Sequence, residues 1–176
     1  MKNNILLLIL ILSISCTCFS QENKVEKHNS KSAKNCKDFL LNVYISDPDD
    51  ETNLRKKPNG KIVLKLKNDN YGYTIQVTES KKEWFKVKTI TSVEGDTIEI
   101  PGGTAWIHNS LTKAGTRKDI KLLDTPKNGS VVGTVKQENE VHILEICSDW
   151  VKVKYDGISG WASSEWLCGS PVTTCP

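Results

Sequence analysis

The sequence predicts an all-β protein: two tandem small β-barrels, preceded by a signal peptide and a short flexible tether. Two observations predict it. The first is an internal repeat. Asn53-Leu54-Arg55-Lys56-Lys57-Pro58-Asn59-Gly60, then Glu83-Trp84-Phe85-Lys86-Val87-Lys88, then Ala105-Trp106-Ile107-His108, return as Leu122-Leu123-Asp124-Thr125-Pro126-Lys127-Asn128-Gly129, Asp149-Trp150-Val151-Lys152-Val153-Lys154 and Gly160-Trp161-Ala162. Self-similarity of this kind marks a repeated structural unit. The second is alternation of apolar and polar residues between clusters of Gly, Pro, Asn and Asp, the period of a strand whose side chains point to opposite faces.

The two copies differ in one interval. Pro58 to Trp84 spans 26 positions and Pro126 to Trp150 spans 24, whereas Trp84 to Trp106 spans 22 against 11 for Trp150 to Trp161. The first copy therefore carries an insertion, placed at Thr89 to Gly103. Glu94-Gly95-Asp96 and Pro101-Gly102-Gly103 supply turns on either side of the alternating run Thr97-Ile98-Glu99-Ile100, which describes a lengthened hairpin.

In chain order, residues 1–20 combine one early cation, Lys2, an apolar run from Ile5 to Leu12 and a small-residue exit. This pattern is that of a secretory signal peptide, too short for a membrane-spanning helix. The alternative is a lipoprotein signal with lipidation at Cys16 or Cys18, the only route to membrane attachment read here. Residues 21–36 are charged and polar and cannot bury enough surface to offset the entropy of ordering, so they read as a tether, with His28 a solvated histidine.

The first domain is read over 37–114 and the second, with a cysteine-containing tail, over 115–176. Phe39 to Ile45 is an apolar run suited to a first strand. Ser46-Asp47-Pro48-Asp49-Asp50-Glu51 reads as an exposed acidic turn or as an acidic loop beside a groove, with Asp47, Asp49 and Asp50 as candidate ligands for a cationic group. Its spacing lacks the ordered ligands and Gly turn of a calcium loop, so no metal or cofactor is expected. Lys61 to Lys67 and Tyr73 to Val77 alternate as strands.

In the Trp84 strand, Trp84 shares a face with Lys86 and Lys88, opposite Phe85 and Val87. Trp150 does the same with Lys152 and Lys154. A partly buried Trp on a polar face is either an amphipathic plate for a ligand or a residue packed under a neighbouring loop. Trp84, Trp106, Trp150 and Trp166 are the candidate aromatic contacts, although Trp106, with Trp161, is better placed in the core. Ala114 to Asp119 reads as the joint between barrels.

Without residues 1–20 the net charge is +2, with Lys and Glu interspersed. Near balance argues against nucleic acid, which requires a concentrated basic face. The exported chain would keep Cys36, Cys147, Cys168 and Cys175, an even number that suggests two disulfides. Either Cys168 closes a local loop with Cys175 while Cys36 joins Cys147, or Cys168 reaches Cys147. No metal-binding, phosphate-loop or nucleotide motif is present. His142 and Cys147 stand at odd separation on a strand, hence on opposite faces, and His108 reads as a surface histidine. The chain is read as having no catalytic residues.

Asn53, Leu54, Arg55 and Pro58, the Trp-x-x-Val strand and the closing Ala105-Trp106 or Gly160-Trp161 resemble the bacterial SH3-like (SH3b) domain, in two copies over roughly residues 39 to 170. The first copy departs at Ala105, where the family usually has Gly. The second departs at Leu123, where Arg is expected. The resemblance implies SH3-like barrels and an exported, periplasmic or extracellular, non-catalytic binder of cell-wall (peptidoglycan) peptides. The alternative is an envelope protein-binding factor, such as an inhibitor or immunity protein of a cell-wall hydrolase, that inserts the hairpin at Thr89 to Gly103.

Overall fold

A computed structural model describes residue 36, residues 39–68 and residues 72–170. The expected signal peptide, Cys16, Cys18, nearly all of the tether with His28, and Cys175 lie outside the described residues. Among the described residues no helix is long and apolar enough to cross a membrane.

Among the described residues the regular structure is almost all strand. The first repeat supplies β1 (Leu41–Ile45), β2 (Glu51–Arg55), β3 (Ile62–Lys67), β4 (Tyr73–Lys81), β5 (Trp84–Ser92), β6 (Thr97–Ile98) and β7 (Ala105–His108). A 3-10 turn, η1 (Asn109–Leu111), leads to β8 (Thr112–Thr116). Then follow β9 (Ile120–Leu123), β10 (Val131–Val135), β11 (Glu140–Cys147), β12 (Trp150–Tyr155), β13 (Ile158–Ser163), a second 3-10 turn η2 (Ser164–Trp166) and β14 (Leu167–Cys168).

These form one antiparallel sheet in the order β10-β9-β13-β12-β11-β8-β1-β4-β5-β7-β2-β3, with β14 on β8 and β6 on β5. The pairings of the first repeat recur in the second. β2 pairs with β3 and β7 as β9 pairs with β10 and β13, and β5 pairs with β4 and β7 as β12 pairs with β11 and β13. Registers match as well. Arg55 and Lys86 oppose Trp106, while Leu123 and Lys152 oppose Trp161. Leu123 thus stands where Arg55 stands in the first repeat. Both long hairpins are also irregular at the same place, with register shifts at Val77/Glu79 and at Ile143/Glu145.

β8 has two roles. It pairs with β1 as β14 pairs with β8, closing the first repeat, and with β11 as β1 pairs with β4, opening the second. The segment read as a joint, Ala114 to Asp119, begins inside this strand. Buried side chains from both repeats form one continuous core, including Val43, Leu54, Ile75, Phe85 and Ile107 from the first and Leu122, Ile143, Val151 and Val153 from the second. Each fully buried side chain of this size contributes about 1.5–3 kcal/mol.

The insertion folds as a hairpin. β5 runs on to Ser92 and pairs with β6 through Ile90↔Ile98 and Thr91↔Thr97. The expected alternating run stops as a strand at Ile98, because Pro101 has no N–H to continue a ladder and the Ile100 carbonyl instead accepts from Gly103 N (2.8 Å). Ile90 and Ile100 are buried in the core, whereas Glu94 to Thr97, Glu99 and the Pro101-to-Thr104 turn are exposed.

Cys36 and Cys147 form a disulfide across 111 positions, which ties the start of the first repeat to the end of β11. Cys168 is also disulfide-bonded. The alternative pairing of Cys147 with Cys168 is therefore not the one adopted.

Candidate ligand-binding groove

The acidic loop and the tryptophans lie in different places. Asp49, Asp50 and Glu51 line a hollow of about 670 Å³ with Asn53, Lys67 and Asn68, and no tryptophan is among the described residues lining it. Asp47 is absorbed in holding the loop: its Oδ1 accepts from Asp49 N (3.1 Å) and its Oδ2 from Thr52 Oγ1 (2.9 Å). Asn68 Nδ2 donates to the Asp49 carbonyl at 2.6 Å. The Glu51 carboxyl is held below its usual range by its hydrogen bond from Lys65 at 2.7 Å.

The tryptophans are mostly covered. The sequence places Trp84 on a polar face and partly exposed, but it is only 9% exposed. The covering comes from across the ladder, where Trp84 opposes His108 and the two rings meet edge-on at 5.2 Å. Trp106 is buried between Lys86 and Arg55, and Trp150 is half-buried opposite Ser163. Trp166 packs against the core with the Lys118 ammonium 2.8 Å from its ring centre.

A second groove, of about 760 Å³, lies between the repeats. Its first wall is Glu83, His108, Asn109 and Ser110, at the turn before β5 and the end of β7. Its second wall is drawn from β11 and the β12–β13 turn: Glu140, His142, Leu144, Lys154, Tyr155 and Asp156. That turn is tight because Asp156 and Gly157 both take positive φ, 45° and 77°, which Asp and Gly adopt most readily.

Local bonds hold both walls. His108 Nδ1 accepts from the Ser110 backbone N–H (3.3 Å) and lies 2.8 Å from Ser110 Oγ. Its Nε2, the protonated nitrogen of the neutral ring in that arrangement, lies 3.8 Å from Glu83 Oε2. Asn109 Nδ2 donates at 2.9 Å to the carbonyl of Leu144, the residue that the register shift of β11 leaves out of the ladder. The irregular strand thus presents a free acceptor, and the first repeat takes it.

Glu140 is held through both oxygens: Tyr44 Oη of β1 donates to Glu140 Oε1 at 2.5 Å and Lys113 Nζ lies 3.1 Å from Glu140 Oε2. The Tyr44 bond first, then Lys113, holds the Glu140 carboxyl below its usual range. Burial and then the bond to Glu140 push the Tyr44 phenol far up. Partial desolvation of the ring, reinforced by the cations of Lys113 and Lys154, lowers the His142 imidazole. On the far side Tyr155 Oη donates to Asn139 Oδ1 at 2.9 Å.

The groove thus presents carboxylates, an ammonium and two imidazoles on a fixed frame, a surface suited to a polar chain bearing both charges. Cys147, five positions from His142, is in the disulfide and holds no thiol for nucleophilic chemistry. Among the described residues no three His, Cys, Asp or Glu side chains converge as metal ligands would. The sequence reading treats His108 and His142 singly. Their convergence comes from the pairing of β8 with β11, which no local pattern encodes.

Residues 126–167 match the family described as the bacterial SH3 domain. That span contains the whole second wall of the groove. A curated protein, "Putative N-acetylmuramoyl-L-alanine amidase YrvJ" of Bacillus subtilis (strain 168), is 27% identical over 103 residues, which cover 58% of this chain and 19% of the amidase. The chain therefore spans about a fifth of that relative's length. Solved structures of NlpC1 and NlpC2 from Trichomonas vaginalis share 14% and 12% identity. They cover 78% and 76% of this chain and 48% and 49% of their own, at a TM-score of 0.31 in both cases, too low to carry an argument.

Proposed function

We propose that this protein is an exported, non-catalytic binding protein of the bacterial cell envelope, built from tandem SH3-like repeats, that holds peptidoglycan peptides in the groove between the repeats. The observation that carries this reading is the bacterial SH3 match at residues 126–167, because it supplies Glu140, His142, Leu144, Lys154, Tyr155 and Asp156 to one wall. The similarity to an amidase named for cell-wall chemistry supports the ligand class. The Cys36–Cys147 disulfide supports export, since such bonds persist in oxidising compartments. Cell-wall peptides carry free carboxylates and amines, and the mixed charges of the groove complement both.

The test is co-sedimentation of the purified protein with intact sacculi and with sacculi whose stem peptides have been removed. Binding that requires the peptides and falls at least fivefold in Lys154→Ala/Tyr155→Ala supports the reading. Undiminished binding by that variant would move the site elsewhere. No binding to sacculi would favour the protein-partner alternative and its hairpin at residues 89–103.

A further inference from the structure

The tip of the β2–β3 hairpin carries three lysines that the fold does not use. Lys56, Lys57 and Lys61 line a hollow of about 480 Å³, and all three are exposed. The tip is held by its backbone and by Arg55: Lys56 N donates to Lys61 O (2.9 Å), Gly60 N to Lys57 O (2.8 Å) and Arg55 Nη1 to Gly60 O (2.8 Å). None of the three ammonium groups has a carboxylate partner among the described residues. Other lysines do pair: Lys65 with Glu51, Lys86 with Glu79, Lys113 with Glu140 and Lys136 with Asp119.

The second repeat is an internal control. It builds the matching turn with Asp124, Thr125 and Ser130 in these places, and closes it with Asp124 N to Ser130 O at 3.0 Å. There Asp124 Oδ1 accepts from Ser130 N at 2.9 Å, so an acid stabilises the turn. Closing the turn thus does not require lysines, and gathering three uncompensated like charges at its tip opposes compactness. Their convergence is explained by an anion. Lysine ammonium groups act as compact point charges with three donors each, which suits the tetrahedral oxygens of a phosphate. Among the described residues no acidic side chain lines the hollow. Ile62, the next residue, is 42% exposed and offers an apolar contact beside the charges.

We infer that the β2–β3 tip is an anion site for phosphate groups, separate from the groove between the repeats. The same chemistry is offered by anionic phospholipid headgroups and by soluble phosphate polymers. The experiment measures sedimentation with phosphatidylglycerol-containing vesicles and, in parallel, binding of medium-chain polyphosphate. It compares the parent protein with Lys56→Gln/Lys57→Gln/Lys61→Gln and with a control of equal net charge, Lys88→Gln/Lys121→Gln/Lys127→Gln.

At about fivefold per lysine, the clustered variant is expected to lose roughly a hundredfold in affinity, with the control within about threefold of the parent. Binding restricted to vesicles assigns the headgroup as source, and binding restricted to polyphosphate assigns the polymer. Replacement of the three by arginine, which keeps the charge, is expected to retain binding and guards against a folding defect. The inference is overturned if the parent binds neither probe, or if the clustered and dispersed variants lose equally.

Discussion

Tyr44→Phe removes one hydroxyl and leaves the ring in place, so it isolates the bond that joins β1 of the first repeat to Glu140 of the second. A hydrogen bond to an ionised acceptor contributes about 1.5–3 kcal/mol. The Glu140 side chain is 60% exposed, so solvent screening brings the expected loss to about 1–1.5 kcal/mol near neutral pH. The pH dependence fixes the sign. The Glu140 carboxyl lies below its usual range in the folded state, first because of Tyr44 and then Lys113, so its ionisation contributes stability above the unfolded pKa of about 4.3. That contribution disappears as pH falls through the folded value.

The penalty of Tyr44→Phe should therefore shrink toward acid pH. The phenol is shifted upward, so its contribution is complete below its unfolded pKa of about 10 and is lost as pH rises beyond it. The parent's advantage should narrow again in strong alkali. Urea unfolding followed by tryptophan fluorescence, at about pH 7 and about pH 3, reads the loss near neutrality and its narrowing in acid. A loss below about 0.3 kcal/mol near neutrality, or an equal loss at both pH values, would refute the reasoning.

Three further outcomes follow from the same frame. Gly160→Ala should cost about 1–3 kcal/mol in urea unfolding, because its Cβ would lie 2.7 Å from Leu122 Cβ and 3.0 Å from both the Leu123 carbonyl and Val132 Cγ2. Ala105 occupies the matching place in the first repeat, and a parent-like stability for Gly160→Ala would show that the second repeat relaxes as freely. Asn109→Ala leaves the Leu144 carbonyl without its donor and should cost about 1–2 kcal/mol, with a parental midpoint contradicting it. Replacing Cys36 and Cys147 together by Ser opens a loop of 111 positions and should lower stability by at most about 4–5 kcal/mol, read as a shift in urea midpoint under oxidising conditions. An unchanged midpoint would mean that the bond constrains nothing.

The repeat was legible because Pro58 and Pro126, Trp84 and Trp150, and Trp106 and Trp161 keep order and chemistry, and alternation identified the strands that carry them. What alternation cannot state is which strands meet. The double use of β8 rests on Tyr44↔Lys113 and Val141↔Ala114, contacts between residues far apart in the chain. Trp84 shows the same limit on a smaller scale. Its phase on β5 was readable, but its exposure depended on His108 arriving across the ladder. The acidic loop was visible as a charge cluster, yet the bond network that occupies Asp47 depends on Thr52, a buried residue of the next strand. The groove was least legible of all, since its walls come from different repeats and meet through the pairing of β8 with β11.

The central claim, that the groove between the repeats holds a peptidoglycan peptide, is tested most directly by titrating isotopically labelled protein with soluble muropeptides and following amide and imidazole resonances. The account predicts saturable shifts concentrated at His108, Asn109, Glu140, His142, Lys154 and Tyr155, with Asp49, Asp50 and Lys57 unaffected. Shifts centred on the acidic loop, or a spectrum unchanged at millimolar ligand, would contradict it.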